Sequence, residues 1–205
     1  MATRIGCDHL VYAKMTTEDS SSVAPVYAVP TLAPGVMAVN INPNASQETL
    51  FTDDGPSETA STLGKIEVEI KKNELTIQNK ADLLGHNIDT NGGLVYGDYD
   101  VPPWTAIGFR TLKSNGKYKY VWMYKGKFMD PEEQNETKGD NVSFQSDTIK
   151  GQFVKINNSY SIGTGEAAKT VHPWKYDLDE ESVGVSATAL AAFFTSVLMP
   201  NAVIA

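Results

Sequence analysis

Side chains able to bind a metal or move a proton are scattered through this sequence of 205 residues. The three histidines, His9, His86 and His172, lie far apart, and none stands in a zinc-ligand spacing with Cys7 or with another histidine. Cys7 is the sole cysteine. As a thiolate it would be a nucleophile, but a partly buried free thiol is the commoner use of such a residue. Carboxylates are paired at Asp53-Asp54, Glu132-Glu133 and Glu180-Glu181, all in polar stretches where solvent holds the charge. No nucleophile elbow, phosphate-binding loop or dinucleotide fingerprint occurs. The nearest approach to a cation site is Asn87-x-Asp89-x-Asn91-Gly92, followed by Leu94 and Asp98, which has the spacing of an EF-hand calcium loop. Its context fails. Position one is Asn, position twelve is Asp, and the segment Tyr99-Asp100-Val101-Pro102-Pro103 cannot continue as a helix. The reading is therefore a turn-rich connection, with no catalytic residue, no metal and no cofactor expected.

Composition narrows the classes further. Charged residues make up 20% and hydrophobic ones 41%, a balance that supports a globular core rather than a disordered chain. The net charge of −8 argues against a grip on nucleic acid, which needs clustered Lys and Arg to displace counterions. A single cysteine excludes an internal disulfide framework and suits a reducing cytoplasm, and the first fifteen residues lack the apolar run of a secretory signal. Residues 182–205 carry no charge and approach the roughly 20 residues needed to span a bilayer. Gly184, Pro200, several hydroxyl side chains and the lack of a flanking Lys or Arg argue against a span. A packed helix over residues 187–199, or burial against a neighbouring subunit, is expected instead.

The elements are organised around residues 105–128. Asn115-Gly116 is a strong turn signal, because both central positions of a type I′ turn need positive φ. A two-residue loop there sets Thr111 opposite Tyr120, Phe109 opposite Trp122 and Ile107 opposite Tyr124, all on one face. The aromatic ladder Tyr118, Tyr120, Trp122, Tyr124 then forms a core layer with Ile107 and Phe109.

Upstream, residues 9–15 suit a short strand, and the prolines of residues 27–35 suit an extended arm. Two strands flank Asn42-Pro43-Asn44, and residues 53–62 read as a polar loop. Residues 63–73 form the cleanest strand, with Ile66, Val68 and Ile70 on one face and Lys65, Glu67, Glu69 and Lys71 on the other. A short helix is expected at about residues 78–85, stopped by Gly85. Residues 130–141 form a long acidic loop, a further strand or strand pair follows, and residues 157–182 read as irregular with Trp174 as an anchor. The expected fold is mainly β: a two-sheet antiparallel β-sandwich or partial barrel with a short flanking α-helix, long loops and an extended arm. Its parts are an N-terminal arm and first strand (1–34), the sandwich (35–156) and a C-terminal extension (157–205) with helical potential, suited to subunit contacts.

Several blocks carry a family resemblance. Residues 107–128, then Pro131-Glu132-Glu133, then Thr137-Lys138-Gly139-Asp140, then residues 144–153 resemble the major tail (tail-tube) proteins of long-tailed siphophages. So do Asp53-Asp54-Gly55-Pro56-x-Glu58, Ala81-Asp82-Leu83-Leu84-Gly85, Tyr12-Ala13 and Thr17-Glu18-Asp19. The resemblance spans roughly residues 5–155 and is weaker in the last fifty residues. It implies a tail-tube fold, with six copies closing into a ring and rings stacking into a hollow conduit for DNA ejection. The implied partners are further copies of the chain and other tail proteins such as the tape measure and the tail terminator. DNA would pass without specific binding and no membrane is involved. The implied location is the virion tail, after synthesis in the host bacterial cytoplasm.

Within this frame the candidate inter-subunit residues lie in the two polar loops: Asp53, Asp54 and Glu58 in the first, and Pro131, Glu132, Glu133, Glu136 and Lys138 in the second. The inner-tube protein of a contractile injection machine is an alternative sharing the ring. A carbohydrate-binding sandwich, supported by the aromatic ladder alone, is the alternative from another class.

Overall fold

The structure is a computed structural model, which describes residues 2–52, 55–133, 137, 145–163 and 168–201, with the backbone alone for residues 50–52 and 55–61. The chain opens with β1 (Arg4–Thr17), on which the short β2 (Val26–Tyr27) and β3 (Thr31–Leu32) fold back. Next come β4 (Val36–Asn42), β5 (Ser46–Thr52), β6 (Gly55–Thr62) and β7 (Ile66–Lys72), then helix α1 (Ile77–Leu84). A small ribbon of β8 (Asn87–Ile88) and β9 (Leu94–Val95) leads to β10 (Thr105–Lys113), β11 (Tyr118–Met129) and β12 (Asp147–Val154). The chain ends with β13 (Tyr160–Ile162), β14 (Lys169–Val171), β15 (Lys175–Asp179) and helix α2 (Ala187–Ala192).

The main sheet is antiparallel, in the order β2-β1-β10-β11-β12-β7-β4, with β3 on β1 and β15 on β11. Strand β11 is long enough to serve two partners along one edge, β15 at residues 119–123 and β12 at residues 125–129. The sheet curls until β4 comes beside β1, where the Cys7 thiol approaches the Met37 carbonyl at 3.8 Å. The result is a mainly β, sandwich-like fold with small ribbons and two helices. Alternation on β7 works as its sequence implies: Ile66, Val68 and Ile70 are buried, while Glu67 and Lys71 are exposed and Glu69 is half-buried. Helix α1 starts where the Thr76 hydroxyl accepts from the Asn79 amide, and stops at Gly85, whose φ of 80° returns its N–H to the Ala81 carbonyl.

The hairpin at Asn115-Gly116 is present, but its register differs by one residue from the expected one. Lys113 and Lys117 close the loop, with Lys113 N–H donating to the Lys117 carbonyl at 2.8 Å, so Ser114, Asn115 and Gly116 form a three-residue loop. Gly116 has φ of 80° and Asn115 is not left-handed, which is a type I turn ending in a glycine bulge rather than a type I′ turn. Thr111 therefore pairs with Lys119, Arg110 with Tyr120, Phe109 with Val121, Gly108 with Trp122 and Ile107 with Met123. A one-residue slip moves every side chain to the other face. Ile107 and Phe109 join Val121 and Met123 in one core, and Tyr120, Trp122 and Tyr124 belong to another.

The first core fills the inside of the curled sheet, with Val68, Ile70, Phe128 and Phe153, and α1 adds Leu83 and Leu84. The second lies on the outer face of β1, β10 and β11, beneath the C-terminal segment. Trp122 and Tyr124 are fully buried there. The Trp122 indole N–H donates to the Phe193 carbonyl and the Tyr124 hydroxyl to the Leu198 carbonyl, both at 2.9 Å. Residues 157–182 are thus not irregular: β15 extends the main sheet, and β13 pairs with β14. The helix expected over residues 187–199 is shorter, begins at the Ser186 cap and gives way to turns after Ala192. Residues 4–17 form one continuous strand with a bulge at His9, whose φ is 52°.

Candidate assembly surface

Residues 53–62 were expected as a loop, and the structure corrects that: Gly55–Thr62 is strand β6, paired with β5 from Ser46 opposite Thr62 to Thr52 opposite Gly55. The segment lacks the apolar alternation that marks a core strand. It continues the β4–β7 pair beyond the sheet. Asn42 and Glu67 form the last sheet pair, and a kink at residues 43–45 and 63–65 intervenes. At that kink Asn44 (φ 43°) donates from its side chain to the Lys65 carbonyl at 2.9 Å. Gly64 passes so close that a Cβ would stand 2.2 Å from the Asn44 carbonyl oxygen. Neither β5 nor β6 pairs with any other described strand.

Seven residues of strand reach roughly 20 Å from the body. A lone two-stranded ribbon is marginally stable in water, and the backbone edges of this one meet no other described strand and can be offered to a partner. Glu58 lies in β6 opposite Leu50, whereas Asp53 and Asp54 lie outside the described residues.

The second candidate segment begins where β11 ends. Pro131 is half-buried, Glu132 and Glu133 are exposed, and Glu136 and Lys138 lie outside the described residues. Glu133 pairs with Lys80 on α1, which holds its carboxyl below the usual carboxylate range. Glu133 thus already has an intrachain partner.

The calcium-like spacing does not gather into a cage. Asn87 sits in β8 paired with Val95, and the Asp89 carboxylate is spent on its own turn, accepting from Asn91 N–H at 3.0 Å and Gly93 N–H at 2.6 Å. Those amide bonds hold it below the usual range. Asn91 also donates its side-chain amide to Asp89, and Asp98 is exposed on the following loop. Among the described residues no group of three or more His, Cys, Asp or Glu is gathered to hold a metal ion, and no helix is long and apolar enough to cross a membrane.

Of the core-hairpin residues, Ile107 and Phe109 face inward, and Tyr120, Trp122 and Tyr124 face the C-terminal segment. Gly116 makes the turn, and the Asn115 side chain donates to Glu181 at 2.6 Å. Sequence reasoning missed His86, which joins Asp100 and Asp130 across 14 and 44 residues, a separation no local pattern reveals. It also missed Asp19, whose buried carboxylate accepts from the Lys125 ammonium and the Asn157 amide.

No protein-family model matches the chain, and no curated protein matches it.

Proposed function

We propose that this chain is a structural tail-tube subunit: six copies close into a ring, and rings stack into a hollow tube through which phage DNA passes into the host. The observation that carries the reading is the β5–β6 ribbon, a continuation of the β4–β7 pair that leaves the sheet and pairs with no other described strand. A heterologous contact that closes on itself builds a ring, and a projecting ribbon gives each copy a surface unlike the one it docks on. The net charge of −8 suits a conduit that must not retain DNA. Its partners in this reading are further copies of itself and the tape-measure and terminator proteins of the virion tail.

The inner tube of a contractile machine shares these features and differs in its surroundings. The carbohydrate-binding alternative rests on the aromatic ladder, in which the Trp122 and Tyr124 rings are fully buried and Tyr118 is half-buried, an arrangement that favours the structural reading.

Replacing residues 47–61 by a short Gly-Ser turn tests the role of the ribbon. The variant should melt as the parent does, since no described core residue is removed, while rings and tubes fail to form. Tubes of ordinary length from this variant would remove the ribbon from the assembly.

A further inference from the structure

We propose that His86 is a proton-held clasp: as imidazolium it ties Asp100 of the 97–100 turn and Asp130, at the root of the acidic segment, to the end of α1, and it releases Asp130 on losing its proton. The ring is almost fully enclosed, its side chain 4% exposed. Nδ1 stands 2.6 Å from an Asp100 oxygen and Nε2 stands 2.7 Å from an Asp130 oxygen. Ionised carboxylates accept hydrogen bonds and donate none. A neutral imidazole has one N–H, so its other nitrogen would turn a lone pair on a carboxylate oxygen at contact distance. Both contacts hold together only in the charged ring.

The two partners are not equivalent. The Asp100 side chain is 12% exposed and also accepts from Gly97 N–H at 2.8 Å, which locks the turn. Asp130 is 63% exposed and has water as a ready substitute. The neutral ring therefore keeps its proton on Nδ1, toward Asp100, and Asp130 swings free. Among the described residues, the charged and titratable groups around the ring are these two carboxylates and Tyr96, whose ring lies 4.3 Å away, with the Lys80–Glu133 pair beyond it.

Burial alone would lower the His86 value, but the Asp100 and Asp130 bonds outweigh it and hold the ring above the ordinary histidine range. The contact is intact below that range and is lost as pH rises through the elevated value. What the clasp positions is a surface with large exposed apolar groups, Tyr96, Tyr99 and Val101, and the first residues of the acidic segment. It stands independently of the tube reading.

The test is an NMR titration of the full chain, following the His86 ring and the backbone amides of Asp130 and Tyr96. His86 should titrate above the ordinary value of about 6.5. The Asp130 amide should follow the same curve, and the neutral ring should be the Nδ1-protonated tautomer. In Asp130→Asn the amide can donate to the bare Nε2, so the His86 value should fall toward the ordinary one. Asp98→Asn should leave it unchanged. A His86 value at or below the ordinary one, an Asp130 amide that does not follow it, or no effect of Asp130→Asn would each overturn the clasp.

Discussion

Gly108 lies directly opposite Trp122 across β10 and β11, and the indole covers the bare Cα so closely that a Cβ would stand 2.9 Å from three ring atoms. The absence of a side chain at one position thus makes room for the largest side chain at the other. Gly108→Ala should destabilise the fold by about 1–3 kcal/mol, the usual cost of overfilling a packed core. Denaturant melts check this, and an unchanged midpoint would mean that the ring has room to move.

Trp122→Ala should cost about 3–5 kcal/mol, as for other large core aromatics. Trp122→Phe separates the two contributions of the indole. It keeps a ring against Phe193 but leaves the Phe193 carbonyl without its donor, and should cost more than the roughly 1 kcal/mol of one hydrogen bond because ring volume is also lost. Equal stability of all three proteins would contradict the packing described.

The pH dependence of stability should show Asp19. Burial would raise its pKa, but the Lys125 ammonium and the Asn157 amide hold it below the usual carboxylate range. A depressed folded value contributes stability that is present above the unfolded value of about 3.9 and is lost as pH falls through the folded one. Asp19→Asn should therefore be less stable at neutral pH and lose less on acidification. Melting temperatures measured across the acid range check this, and parallel curves for the two proteins would contradict it.

Much of the fold was legible where one face is wet and the other dry. Ile66, Val68 and Ile70 alternate with charges because β7 has a solvent face, and α1 ends at the glycine that marks it. The hairpin register was not legible, for a physical reason. Asn-Gly serves both a two-residue loop and a three-residue loop, and the apolar pattern could not choose, since both faces of β11 are buried. Strand β6 escaped notice because Gly55–Thr62 carries no apolar alternation, the signal by which a strand is read from sequence. In β15, Leu178 alone belongs to the second core as a fully buried residue, and charges surround it. The fate of residues 187–199 depended on Trp122 and Tyr124, about seventy residues away, whose N–H and O–H groups meet backbone carbonyls there.

Deletion of residues 132–138 should leave the core intact, since Pro131 is retained and the one described tie removed is the exposed Glu133–Lys80 pair. Such exposed pairs are screened by solvent and contribute little to stability. Melting should be near that of the parent, while polymerisation is impaired. Tubes of ordinary length from the deleted protein would reduce this segment to solvated surface.

Assembly is read directly by negative-stain electron microscopy of the purified chain at high concentration. The expected result is six-membered rings and hollow tubes built from stacked rings. A chain that stays monomeric at every concentration, with no rings and no tubes, would contradict the account.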